Sequence, residues 1–61
     1  MKFNEVHVFS SEDYPDRDAP PLLRPVIEDL YIWFTKDKSY VFANGWVEWK
    51  PGMSIAEALR G

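Results

Sequence analysis

His7 is the sole histidine in a chain of 61 residues that has no cysteine, so acid–base or metal chemistry would have to begin there. A nucleophile–base pair would need its imidazole beside Ser10, Ser11, Ser39, Ser54 or Thr35, and the spacing shows no such arrangement. A lone histidine in a stretch of this kind reads as structural or solvent-facing. Without thiolates, disulfides and cysteine-based zinc sites are excluded, and one histidine among scattered carboxylates gives no evident ligand set. Neither a metal nor any other cofactor is expected. Glu12, Asp13, Asp16 and Asp18 crowd one segment, yet they lack the ligand spacing and central glycine of a calcium loop; they read as a solvated acidic loop. The three glycines are isolated, which argues against a phosphate-cradling loop. A cleft for paired carboxylates is hard to enclose in so short a chain. The residues therefore point to a protein that is not an enzyme.

The aromatic residues are the unusual part of the composition. Three tryptophans, three tyrosines and four phenylalanines occur in 61 residues. Each such ring buries about 150–250 Å² when covered, and Tyr and Trp also suit half-wet interfaces. A chain this small hides only about 60% of the surface its unfolded form exposes. With no disulfide available, its stability must come from dense packing or from a partner. The rings supply material for either, and they exclude a disordered chain.

Net charge is −3, and it is unevenly placed. Residues 1–21 carry Lys2 and Arg17 against five acidic side chains, while residues 22–61 are balanced. A duplex-binding protein would show a basic face, so nucleic acid is disfavoured as a partner. The segment after Lys2 is acidic and has no apolar run, unlike a secretory signal, and no stretch approaches the roughly 20 apolar residues of a membrane span. The expected setting is the cytoplasm, with no membrane partner, and the 61 residues read as one complete domain.

The elements follow from pattern. Residues 2–9 are β-branched and aromatic, with Val6 and Val8 on one side and Glu5, His7 and Phe9 on the other, which predicts a strand. Residues 10–21 form an irregular acidic loop in which Pro15, Pro20 and Pro21 forbid a regular ladder. The run Leu30-Tyr31-Ile32-Trp33-Phe34-Thr35 predicts a strand over 29–35, entered by a short helical turn at 25–28; a helix over 25–35 is the alternative, because Val26, Ile27, Leu30, Tyr31 and Phe34 also fit one helical face. Strands are predicted at 40–43 and 46–50, joined by a two-residue Asn44-Gly45 turn that sets Ala43 opposite Trp46. Ser54 and Glu57 make a capping box for a short helix over 54–60, closed by Gly61. The predicted fold is α+β: a small antiparallel sheet of three to four strands with one C-terminal helix.

This arrangement leaves more apolar strand surface than the helix can cover. With Thr35 opposite Tyr40, one face holds Tyr31, Trp33, Tyr40, Phe42, Val47 and Trp49, and the other holds Leu30, Ile32, Phe34, Val41, Ala43 and Trp46. A three-residue connection would exchange the members from the first of these strands. The helix offers only Ile55, Ala58 and Leu59, enough for one face. The second face needs a cover: Leu22, Leu23, Val26 and the Tyr14–Pro21 loop folding back, a second copy in a homodimer, or another protein docking on exposed Trp and Tyr. From this surplus the expected function is a small acidic protein-binding module, an inhibitor or adaptor acting on a larger assembly. Its expected contacts are Tyr31, Trp33, Trp46 and Trp49, with Asp13, Asp16 and Asp18 meeting a basic surface as phosphate mimics. Anti-defence inhibitors of phages and mobile elements are comparable in size and composition alone. Two other readings are a single-stranded nucleic-acid binder that stacks bases on the aromatic face and a homo-oligomeric structural protein.

Overall fold

The computed structural model describes residues 3–14 and 16–60. Strands β1 (Val6–Ser10), β2 (Leu30–Phe34), β3 (Ser39–Phe42) and β4 (Trp46–Glu48) lie side by side in that order, and a helix α1 (Ile55–Leu59) follows them. The fold is α+β with a four-stranded, mostly antiparallel sheet. β2–β3 and β3–β4 are antiparallel, as expected, whereas β1 joins β2 in parallel, with Val6 beside Leu30 and Val8 beside Ile32. The predicted strand start at Lys2, the Gly61 cap and Pro15 fall outside the described residues. No helix among the described residues is long and apolar enough to cross a membrane.

The parallel pair explains the long loop. A chain leaving the far end of β1 must travel back along the sheet before it can start a parallel neighbour. Residues 11–29 make that crossover, and none of the described ones lies in an α-helix, in keeping with the prolines among them. The crossover opens with a 3-10 turn at Ser11–Asp13, where the Ser10 hydroxyl accepts the Glu12 N–H. It closes with a turn in which Asp29 N–H donates to Val26 C=O at 3.2 Å and Glu28 takes φ 73°. The predicted helical turn at 25–28 is thus a single tight turn, and β2 begins straight after it. The helical alternative over 25–35 is not adopted. Leu30, Tyr31, Ile32 and Trp33 are all buried, as in a strand whose two faces are both covered.

The first hairpin turns at Lys36-Asp37. Thr35 N–H donates to Lys38 C=O at 2.8 Å, and the Thr35 hydroxyl accepts Lys38 N–H. Trp33 therefore pairs with Tyr40, two positions from the predicted register, and an even shift preserves the faces.

The second hairpin differs by one position, and that changes the faces. Its loop is Ala43-Asn44-Gly45, with Phe42 opposite Trp46 and Val41 opposite Val47. Asn44 and Gly45 do take positive φ, 58° and 130°, but within a three-residue loop. The slip carries Trp46 and Glu48 to the Trp33–Tyr40 face and Val47 to the opposite one. Packing decides it: Trp46 meets Phe42 edge-on at 5.3 Å and Trp33 at 5.8 Å, contacts that a two-residue turn would give up.

α1 packs on β3 and β4, capped by the Ser54 hydroxyl accepting Glu57 N–H at 3.1 Å. Ala58 closes over Leu30, Ile32 and Val41, and Phe3, Trp49, Met53, Ile55 and Leu59 pack around that group. This is the helix-side core, and Trp49 belongs to it.

Candidate functional site

The opposite face is a sheet of rings. Trp33 stacks on Tyr40 with centroids 4.8 Å apart, and His7 stacks on Tyr31 at 4.6 Å and 12°. The crossover lies across these rings and is tied to them. Trp33 Nε1–H donates to Ser11 Oγ at 3.0 Å, Trp46 Nε1–H to Pro21 C=O at 3.3 Å, and Val26 N–H to the Tyr31 hydroxyl at 3.3 Å. On the other face Trp49 Nε1–H donates to Met53 C=O at 2.8 Å. All three indoles thus find acceptors inside the chain, as half-buried or buried indoles must.

These positions correct the expected docking surface. Tyr31 and Trp33 are buried and hold the sheet to its own crossover. Trp46 is half-buried on that same face, and Trp49 is half-buried on the opposite one, so the four do not form one surface. The same covering buries Tyr31 and Trp33, two of the rings on which bases were to stack, and leaves Tyr40 and Phe42 half-buried. Of the residues expected to fold back, Pro21 is buried and Leu23 and Tyr14 are half-buried, while Leu22 and Val26 are exposed. Asp13, Asp16 and Asp18 are exposed. Asp18 N–H donates to Asp16 Oδ1 at 3.2 Å in a local turn, and Asp18 shares an open cleft of about 750 Å³ with Arg17, Lys36, Lys38 and the edges of Trp33 and Tyr40. Mixed charges in an open cleft give no clear preference for one ligand.

Two other features lie on β1. Its outer margin pairs with no described strand, and Val6 and Val8 are 57% and 59% exposed. Leu30 N–H donates to Glu5 C=O at 2.9 Å. That bond fixes the alternation: the backbone groups of Glu5, His7 and Phe9 turn toward β2, and those of Val6 and Val8 turn outward. Val6 and Val8 thus present open peptide groups along the edge and apolar side chains on the helix-side face, which α1 leaves open at this end. Phe34, 39% exposed, lies on that face one strand in. The alternation of Val6 and Val8 was visible in the sequence; that their side would stay uncovered was not, because it depends on α1 sitting over β3 and β4.

The second feature is a convergence of ionisable groups. His7 Nε2 lies 3.0 Å from Asp29 Oδ2 and 3.4 Å from Glu5 Oε2. Asp29 is 22 residues from His7 in sequence, and only the parallel pairing brings the two together. No family model, curated protein or solved structure matches the chain.

Proposed function

We propose that the chain acts by binding another protein, as a small acidic module of the inhibitor or adaptor kind, and that β1 is the contact. The supporting observation is the coincidence, at Val6 and Val8, of outward peptide groups with exposed β-branched side chains. This is the arrangement to which an extended segment adds as a further strand. The other margin of the sheet is less suited to it: β4 has three residues, carries Glu48 and runs toward Pro51, features that blunt an edge.

The occupant we assign is an extended segment alternating basic and apolar residues. Exposed Glu5 precedes β1, exposed Glu12 and Asp13 follow it, and the chain as a whole is at −3. That charge favours a basic strand and opposes a second copy of the same edge. Each added ladder hydrogen bond contributes about 0.5–1.5 kcal/mol net, and covering the rest of each valine adds about 1 kcal/mol. The contact is a short one, so its selectivity rests on charge and on alternate side chains.

The test is a titration of the isotope-labelled chain with the acetylated hexapeptide Lys-Val-Lys-Val-Lys-Val, followed by amide chemical shifts. Saturable shifts centred on Val6–Ser10, lost in Val8→Pro, support the reading. Shifts spread over Asp16 and Asp18 with β1 unmoved would reject it, as would concentration-dependent dimerisation through β1 without peptide.

A further inference from the structure

We infer that Glu5, His7 and Asp29 form a binding site for one divalent transition-metal ion of the zinc class. Each residue offers one ligand atom, and the three atoms lie within 4.8 Å of one another. Metal–ligand bonds of 2.0–2.1 Å at tetrahedral angles place neighbouring ligand atoms about 3.3 Å apart. The two contacts of His7 Nε2, at 3.0 and 3.4 Å, bracket that spacing.

Electrostatics points the same way. The Asp29 side chain is 8% exposed, and a buried carboxylate requires a compensating positive charge. Among the described residues no lysine or arginine pairs with Asp29 or Glu5, and both carboxylates face the same imidazole nitrogen. A metal takes the imidazole through a ring-nitrogen lone pair, and a divalent ion held there would balance the charge of two carboxylate ligands. An imidazole among the ligands favours the zinc side of the divalent series over calcium or magnesium, which take oxygen.

The surroundings hold the ligands in place. His7 is fixed in plane by its stack on Tyr31, and the hydroxyl of Tyr31 accepts the N–H of Val26. Val26 C=O in turn accepts Asp29 N–H. Asn4 steadies the neighbouring Glu28 through a side-chain bond of 2.9 Å and a backbone bond of 2.8 Å. Supports of this kind set ligand orientation at metal sites. Three protein ligands leave a fourth position open. The site lies on the aromatic side of β1, away from the outward peptide groups of Val6 and Val8, and shares only the charge of Glu5 with the edge contact proposed above.

The experiment uses the full chain without a purification tag, titrated calorimetrically with zinc chloride, with cobalt chloride added in parallel for its visible spectrum. One equivalent of zinc, a shift of the His7 imidazole resonances and a tetrahedral cobalt spectrum are expected. His7→Gln and Glu5→Gln should each weaken zinc binding about tenfold or more, while Asp16→Asn leaves it unchanged. The Glu5 side chain is 70% exposed, so Glu5→Gln keeps the fold and decides the matter if His7→Gln does not fold. Zinc affinity equal to wild type in Glu5→Gln overturns the assignment, and so does the absence of binding at millimolar zinc.

Discussion

The Trp33 indole N–H donates to Ser11 Oγ at 3.0 Å, and both residues are buried. This bond joins the central strand to the first residue of the crossover, and it is where the covering of the aromatic face begins. Ser11→Ala leaves the indole N–H buried without an acceptor, which costs about 1–3 kcal/mol. For a domain of this size, each 1 kcal/mol lowers the melting temperature by about 4–8 °C. Thermal melts followed by tryptophan fluorescence check it. A melting temperature equal to wild type would show that the bond is dispensable.

The loop Ala43-Asn44-Gly45 makes a second prediction. Gly45 holds φ 130°, and an added Cβ would meet nothing within 4 Å. Gly45→Ala therefore isolates the backbone cost of that φ, about 1–2 kcal/mol of lost stability. Asn44→Gly, at φ 58°, should be nearly neutral by comparison. Urea unfolding of the two variants separates them. Equal midpoints would mean that the loop relaxes to another shape.

The same loop shows how far the sequence could be read. Asn44-Gly45 marks the hairpin correctly, yet local chemistry does not choose between a two-residue and a three-residue loop. That choice is made by Trp46 finding Phe42 and Trp33, residues outside the loop. The strands, the C-terminal helix and its Ser54 cap were legible because their signals are short-range. The parallel placement of β1 was not, since nothing in residues 2–9 encodes the direction of a neighbour twenty residues on. The candidate site suffered most from this. Tyr31 and Trp33 were rightly placed together on one face, but whether the crossover covers that face depends on three tertiary hydrogen bonds. The pairing of His7 with Asp29 exists only once β1 is parallel to β2.

Tyr14 gives a pH dependence. Partial burial, followed by the adjacent charge of Asp13, raises its phenol above the ordinary value of 10.0; its ring lies 6.0 Å from that of Phe9. Above pH 10 the unfolded chain has lost this proton while the folded chain still holds it. Rising pH therefore favours unfolding in that window. The contribution is fully present below pH 10 and is lost as the pH climbs through the folded-state value. Tyr14→Phe should flatten the fall in melting temperature above pH 10. An unchanged slope would assign the fall to other groups.

The alternation along β1 predicts hydrogen exchange residue by residue. The N–H groups of Val6 and Val8 point away from the sheet, and those of His7 and Phe9 point into the ladder with β2. Val6 and Val8 should exchange at close to unprotected rates, while His7 and Phe9 are protected to the depth of local opening of the β1–β2 pair. Proline scanning reads the same asymmetry in stability. Val8→Pro removes an N–H that bonds nothing among the described residues, so it leaves the melting temperature within a few degrees of wild type. His7→Pro deletes a ladder donor and should cost about 1–3 kcal/mol. If Val8 proves as slowly exchanging as His7, some part of the chain already covers this edge. In that case the open margin on which strand addition depends does not exist.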